Sequence, residues 1–345
     1  MEYRKLGRTD LDISLIGLGT MTWGKQNTQD EGFEQMDYAI EQGINFFDTA
    51  EMYAIPPAPD TYGTTETIIG NWFASRKNRD QVILASKITG PGLEWIRGGS
   101  EITGDTIQLA LEDSLKRLQT DYIDLYQLHW PNRGSYHFGK TWGYAPKFDA
   151  EKQADNFLDV LQTLQKNIDA GKIRHIGLSN ETAWGITKWL QLSEQHDLPR
   201  IQSIQNEFSL LCRHFEPDLA EISINEDCGL LAWSPLCRGM ISGKYLNGAR
   251  PEGARLSIET RVEHRIHPMT DKAIVRYLEL AQKHNLDVNQ MAIAFVNQQP
   301  FVSSTLIGAT DMKQLKTNIE AINLKLSNEV LEGIENIHRE IPMPF

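Results

Sequence analysis

The sequence predicts an α/β protein: a TIM (β/α)8 barrel preceded by an N-terminal hairpin and followed by an extra C-terminal helix. Three observations carry that reading. Eight short apolar runs of strand character alternate with eight segments of helical period. Titratable residues end several of those runs, and barrels of this kind keep their chemistry at the C-terminal strand ends. No composition break marks a linker and no short internal repeat appears, so residues 1–345 read as one domain. An open doubly wound sheet is the main rival.

Tyr3-Arg4-Lys5-Leu6 and Leu11-Asp12-Ile13-Ser14 flank Gly7 to Asp10 and predict the hairpin. Leu15 to Gly19 is the first buried strand. A helix from about Asp30 to Gln42 ends at Gly43, and Asn45-Phe46-Phe47-Asp48 is the second strand. Thr65 to Ser75 is helical, and Val82 to Lys87 a strand. A glycine-rich loop from Pro91 to Gly104 leads into a helix bearing Ile107, Leu111, Leu115 and Leu118 at helical spacing. Strand 123–129 precedes an aromatic loop, Trp130 to Phe148. The next helix carries Phe157, Leu161, Leu164 and Ile168 and stops at Gly171. Strand 173–178, helix 182–195, strand 201–205, helix 217–227 and strand 229–233 continue the alternation. A long connection, Ser234 to Thr270, interrupts it before helix 271–284, strand 302–307 and helix 312–322. A last helix spans 328–338.

Asp48, Lys87 and His129 each end a strand-like run, and Tyr53 follows Asp48 by five positions on the loop above. Together they predict one proton-handling cluster at the barrel rim. Each alone would read as a strand cap.

Composition narrows the partners. With 40% hydrophobic and 23% charged residues the chain is ordinary globular material with ample core. A net charge of −12 argues against duplex nucleic acid or an anionic membrane as partner. Cys212, Cys228 and Cys237 form no C-x-x-C pair and read as reduced thiols. The N-terminal stretch lacks a signal-peptide core and no run reaches membrane-spanning length, so a cytoplasmic location is expected. Gly17-Leu18-Gly19-Thr20-Met21-Thr22 lacks the third glycine of a dinucleotide fingerprint. Gly239 to Tyr245 is one residue short of a P-loop, and His264 and His267 have no companions at metal-ligand spacing, so no metal is expected.

Longer motifs point to a family. Leu111 to Leu118, running on through Asp121-Tyr122-Ile123-Asp124-Leu125-Tyr126 to His129, is similar to an aldo-keto reductase signature. Gly171-Lys172-Ile173-Arg174 with Ile176-Gly177-Leu178-Ser179-Asn180 resembles a second. Ser234-Pro235-Leu236 with Gly243-Lys244-Tyr245 resembles a third, and Asp48-Thr49-Ala50-x-x-Tyr53 the catalytic one. The likeness spans nearly the whole chain and is strongest to the bacterial Tas-type subgroup. It implies an extended NADP(H) on a TIM barrel, with reduction of an aldehyde or ketone to an alcohol. One departure stands out: relatives often place Gly directly after the catalytic tyrosine and Glu three residues further on. Here Ala54-Ile55-Pro56-Pro57 intervenes and Tyr62-Gly63-Thr64-Thr65-Glu66 keeps the second half. The distance from the strand end assigns catalysis to Tyr53, with Tyr62 as the alternative.

The resemblance also assigns roles. Tyr53 gives the proton, Lys87 stabilises the phenolate and so lowers the tyrosine pKa, Asp48 holds Lys87, and His129 orients the carbonyl. Ser179, Asn180 and Gln205 match positions that hold the nicotinamide amide, and Trp233 one that stacks on its ring. The backbone at Thr20 and Met21 would approach the ribose. Ser234, Leu236, Arg238, Lys244 and Arg255 lie in the loop that would cover the pyrophosphate. Gly308 and Thr310 precede a helix N-terminus suited to a phosphate, and Gln314 and Asn318 match adenine-side positions. Thr317 and Asp311 fit a 2′-phosphate less well. Trp23 and Trp130, with Trp95, Trp142 and Tyr144, could line an apolar substrate pocket or equally pack the loops together. Two other functions stay open: an NADP(H)-sensing auxiliary subunit, and a class I aldolase using Lys87 as a Schiff base.

Overall fold

The computed structural model describes residues 1–345, the side chain of residue 260 excepted. A hairpin of β1 (Tyr3–Lys5) and β2 (Asp12–Ser14) opens the chain. Then follow β3 (Ile16–Gly19), α1 (Gln29–Glu41), β4 (Phe46–Asp48), α2 (Thr64–Arg76), β5 (Ile83–Ile88) and α3 (Gly104–Leu118). The middle comprises β6 (Ile123–Leu128), α4 (Ala150–Asp169), β7 (Ile173–Ser179), α5 (Ala183–Gln195), β8 (Ile201–Gln205), α6 (Asp218–Asn225) and β9 (Gly229–Trp233). The remainder holds α7 (Arg255–Ile258), α8 (Pro268–Lys283), α9 (Val288–Asn297), β10 (Val302–Ile307), α10 (Met312–Glu320) and α11 (Asn328–Glu340).

Strands β3 to β10 pair in parallel and close into an eight-stranded barrel in which β10 meets β3. This is the (β/α)8 architecture read from the sequence, and the doubly wound rival falls. Right-handed crossovers put the helices outside, so the apolar stripes of α1 to α5 meet the outer faces of the strands. α1 shows the local logic. Thr28 and Glu31 form a capping box at its start, and Gly43 turns the chain away with φ +81°.

The hairpin closes the N-terminal end of the barrel. Leu6 and Ile13 are fully buried and pack with Phe46, Ala85, Leu125, Leu231 and Leu306 inside it. Arg4 reinforces that seal, donating to the carbonyls of Asn297, Gln299 and Val302. Gly17 lies where the wall is tightest: a Cβ there would come within 2.8 Å of Leu306 and 2.9 Å of Phe46.

Two expectations are corrected. Sequence periodicity missed α9, because Val288 and Met291 to Asn297 are all buried and no polar face marks a helical stripe. α9 packs on β10, whereas the expected helix at 271–284, observed as α8, packs against α9 and α11. The connection from Ser234 to Thr270 is also more ordered than a loop, being built of 3-10 turns and α7. Among the described residues no helix is long and apolar enough to cross a membrane, and no group of three or more His, Cys, Asp or Glu is placed to hold a metal.

Candidate active site

The open end of the barrel gathers the polar strand ends. Register sets them side by side: Asp48 pairs with Gly19 and Ala85, Lys87 with Gln127, and Ser179 with Gln205. Lys87 is fully buried, and its Nζ donates to Asp48 Oδ2 and to the Thr49 carbonyl, both at 2.7 Å. Asp48 Oδ1 accepts from Gln205 Nε2 at 2.7 Å and from Gln127 Nε2 at 3.2 Å. Burial works to lower the Lys87 pKa, but Asp48, followed by Tyr53, holds it above its usual value. Lys87 therefore stays an ammonium ion.

Tyr53 sits above this pair, its ring centroid 5.0 Å from Lys87 Nζ and 5.8 Å from the His129 ring, edge to face. Burial pushes its phenol up, and Lys87 offsets that only in part. The expected lowering by Lys87 is thus present but outweighed. His129 is pushed well below its usual value, by burial first and by Lys87 second, so its imidazole is neutral. Its Nδ1 is buried without a partner among the described residues. Tyr62 is elsewhere: its hydroxyl donates to Glu51 at 3.0 Å, and burial with the Glu51 charge pushes its pKa up to about 12.

The residues matched to a cofactor divide into three groups. Asn180 Nδ2 donates to the His129 carbonyl at 2.9 Å while its Oδ1 stays buried without a partner among the described residues. Ser179 Oγ donates to the Gln205 carbonyl, and Trp233 is half-buried with Phe138 stacked 6.2 Å from it. An unmet acceptor thus lies just beyond β7, and a flat aromatic face ends β9.

The long connection contributes cations. Ser234 Oγ accepts from the Arg238 N–H, the Leu236 carbonyl accepts from Gly239, and Arg238 Cζ lies 5.7 Å from the Trp233 ring. Burial, with the neighbouring Arg265, lowers the Arg238 pKa to about 10. Arg255 donates to Glu259 at 2.8 Å, leaving Nε and Nη1 buried without acceptors among the described residues, as is Arg238 Nε. Lys244 is exposed. Buried guanidinium donors without acceptors are costly, and an anion would satisfy them.

The third group behaves differently. Thr20 is fully buried, with its N–H and Oγ both donating to the Asp48 carbonyl and its own carbonyl accepting from Trp23, so it braces the strand end. Half-buried Met21 gives its carbonyl to Ile55. At α10, Asp311 caps the helix by accepting from the Gln314 N–H at 2.8 Å, so that N–H already has a carboxylate. Gln314 Nε2 turns back to Asp311 and Thr310, and Asn318 donates to the Gly308 carbonyl.

Among the aromatics, Trp130 is in place, 5.0 Å from the His129 ring and donating to the Pro91 carbonyl. Trp23 is not. It is fully buried in the main core, and its Nε1 donates to Gln35, because the loop after β3 folds inward under α1 and α2. Trp142 is two-thirds exposed. Gln127 was missed by the sequence reading. Its only signal was a polar residue two before His129 in a strand that already holds Asp124.

The sequence profile of the aldo/keto reductase family matches residues 15–339. The chain belongs to the aldo/keto reductase family. It is 50% identical to Protein tas of Escherichia coli (strain K12) over 347 aligned positions, covering 100% of this chain and 99% of the relative. It is 30% identical to an uncharacterized oxidoreductase, YrpG, of Bacillus subtilis (strain 168), across 98% and 96% of the two chains. Norsolorinic acid reductase stcV of Emericella nidulans is 28% identical across 94% and 78%. This aldo/keto reductase also keeps its three cysteines unpaired and buried, with burial raising their thiol pKa values, to about 12 for Cys228 and about 11 for Cys237. They are inert packing residues.

Proposed function

We propose that this aldo/keto reductase reduces an aldehyde or ketone to an alcohol with NADPH, Tyr53 giving the proton. One observation carries the reading: a buried ammonium ion, Lys87, clamped by Asp48 and Thr49, lies 5.0 Å from a tyrosine ring that faces a neutral histidine. When bound, the nicotinamide supplies the hydride. Tyr53 Oη keeps its proton through the physiological range and releases it to an alkoxide, a far stronger base. Lys87 then stabilises the phenolate, and Asp48 keeps Lys87 charged and aimed. Gln127 and Gln205 fix Asp48 in turn. His129, being neutral, shares the growing charge on the carbonyl oxygen without competing as an acid.

Asn180 Oδ1, with Ser179 and Gln205, would take the carboxamide, and Trp233 the ring. Arg238 and Arg255, with exposed Lys244, would meet the pyrophosphate beside Ser234 and Leu236. Gly308, Thr310, Gln314 and Asn318 would face the adenosine end, and Trp130 the substrate. A protonated Lys87 held by Asp48 is a poor amine nucleophile, which weighs against the aldolase.

Tryptophan quenching by NADPH, followed by carbonyl-dependent NADPH oxidation in the same sample, tests the reading. Saturable quenching with oxidation that Tyr53→Phe abolishes is expected. Quenching without oxidation over a broad carbonyl panel would favour a sensor, and no quenching would remove the reading. Asp311 makes the cofactor choice a separate question: tighter binding of NADH than of NADPH would replace NADPH here.

A further inference from the structure

We propose that Glu51 is a positioning residue that sets the distance between Tyr53 and Lys87, an inference that rests on the proton-donor role given to Tyr53. Glu51 lies two residues before Tyr53, is fully buried, and draws four donors onto one carboxylate. Oε1 accepts from the Thr89 N–H at 2.5 Å and from Arg97 Nη2 at 2.6 Å. Oε2 accepts from Arg97 Nη1 at 2.8 Å and from Tyr62 Oη at 3.0 Å. Its backbone is tied as well: the Glu51 N–H donates to the Lys87 carbonyl at 3.2 Å, and its own carbonyl accepts from Gly63 at 3.0 Å.

These bonds reach three separate segments. Lys87 and Thr89 belong to the end of β5 and the residue just beyond it. Tyr62 and Gly63 are the return of the loop that carries Tyr53, and Arg97 comes from the next loop. Tyr53 lies on a stretch with neither helix nor strand between β4 and α2. Its place above Lys87 therefore depends on where that stretch is pinned, and both of its arms are pinned at Glu51. The backbone at Arg97 supports a designed contact. Arg97 adopts φ +46°, a left-handed conformation unfavourable for a residue with a side chain, and thereby delivers its guanidinium in a two-point grip. The far side of β5 is held by a parallel arrangement. Ser86, next to Lys87, donates to buried Glu66 at 2.5 Å, and Arg117 grips Glu66 at 2.7 Å while lying 5.1 Å from the Tyr62 ring.

The test uses the full chain with both charges removed together, Glu51→Gln with Arg97→Gln, so that no buried charge is left alone. Arg97→Lys serves as a second, milder variant that keeps the charge and loses the two-point grip, and its readouts decide if the double variant does not fold. Tyrosine carrying 13C at Cζ gives an NMR signal for Tyr53, assigned by its loss in Tyr53→Phe. The Tyr53 signal is expected to move in the double variant. In parallel, kcat should fall about tenfold or more, since a misplacement near 1 Å can cost about 10²-fold. NADPH Kd and substrate KM should each stay within about threefold, whereas general loosening of the fold would move all of them. A Tyr53 signal that coincides with that of the unaltered chain, or an undiminished kcat in a folded variant, overturns the proposal. Failure of the unaltered chain to oxidise NADPH would overturn the reductase reading instead, and the NMR comparison would still decide whether Glu51 places Tyr53.

Discussion

The floor of the barrel mouth and the basic connection beyond β9 contrast sharply. At the floor, the charged pair is satisfied within the chain: Lys87 rests on Asp48 and Thr49, and Asp48 on Gln127 and Gln205. In the connection, Arg238 and Arg255 hold buried N–H groups for which the described residues offer no acceptor. The first region is organised before any ligand arrives, so in the proposed reduction its charges need no rearrangement. The second is incomplete as it stands, and a bound anion would complete it. One region is complete within the chain, and the other leaves cationic donors open to an anion.

That division can be broken by experiment. The largest expected effect is at the floor: Tyr53→Phe should lower turnover by about 10²- to 10⁴-fold while NADPH Kd, read by tryptophan quenching, changes less than about threefold. Equal losses in both would erase the boundary between the regions. Acid should act next. His129 and His137 are buried neutral, His137 being lowered to about 4 by burial. Their folded pKa values lie below the unfolded value, so the unfolded chain binds more protons and stability falls as pH drops from about 6.5 toward 4. His137 alone accounts for up to about 3 kcal/mol of that loss, and His137→Gln should flatten the fall in Tm over this range. An unchanged slope would show that His137 is not held neutral.

A smaller and opposite pattern is expected in the connection. Arg255→Ala should weaken NADPH binding about 10- to 100-fold, the worth of a charged hydrogen bond or two, with kcat nearly unchanged at saturation. Without cofactor, Arg238→Met should hold or raise Tm, because it removes a buried cation that lacks an acceptor. A fall in Tm would mean that Arg238 is already satisfied within the chain. The smallest effect belongs to Trp142, which is largely exposed. Trp142→Ser should shift stability by no more than about 0.5 kcal/mol.

Much of this site was legible because a barrel maps chain order onto place. Asp48, Lys87 and His129 end successive strands, and successive strands are neighbours, so their meeting follows from connectivity. The same logic chose Tyr53 over Tyr62; Tyr62 binds Glu51, and the Tyr53 ring lies 5.0 Å from Lys87 Nζ. What connectivity does not encode is competition through space. Nothing in the order of residues shows that burial would outweigh Lys87 at Tyr53. Trp23 was misread because a loop residue was taken to face the rim, whereas this loop turns inward to fill the core. α9 was missed for a related reason: a helix buried on nearly every side has no alternation of polar and apolar faces to read.

The seal at the closed end of the barrel has a consequence for how the chain is made. Leu6 and Ile13 find their apolar neighbours in part on β9 and β10, and Arg4 donates to carbonyls near residue 300. At roughly 5–20 residues per second, the ribosome delivers those partners roughly 15–60 s after the hairpin emerges. For that interval the first-made segment can meet Phe46, Ala85 and Leu125 but not its remaining partners, and only the last strand completes the seal.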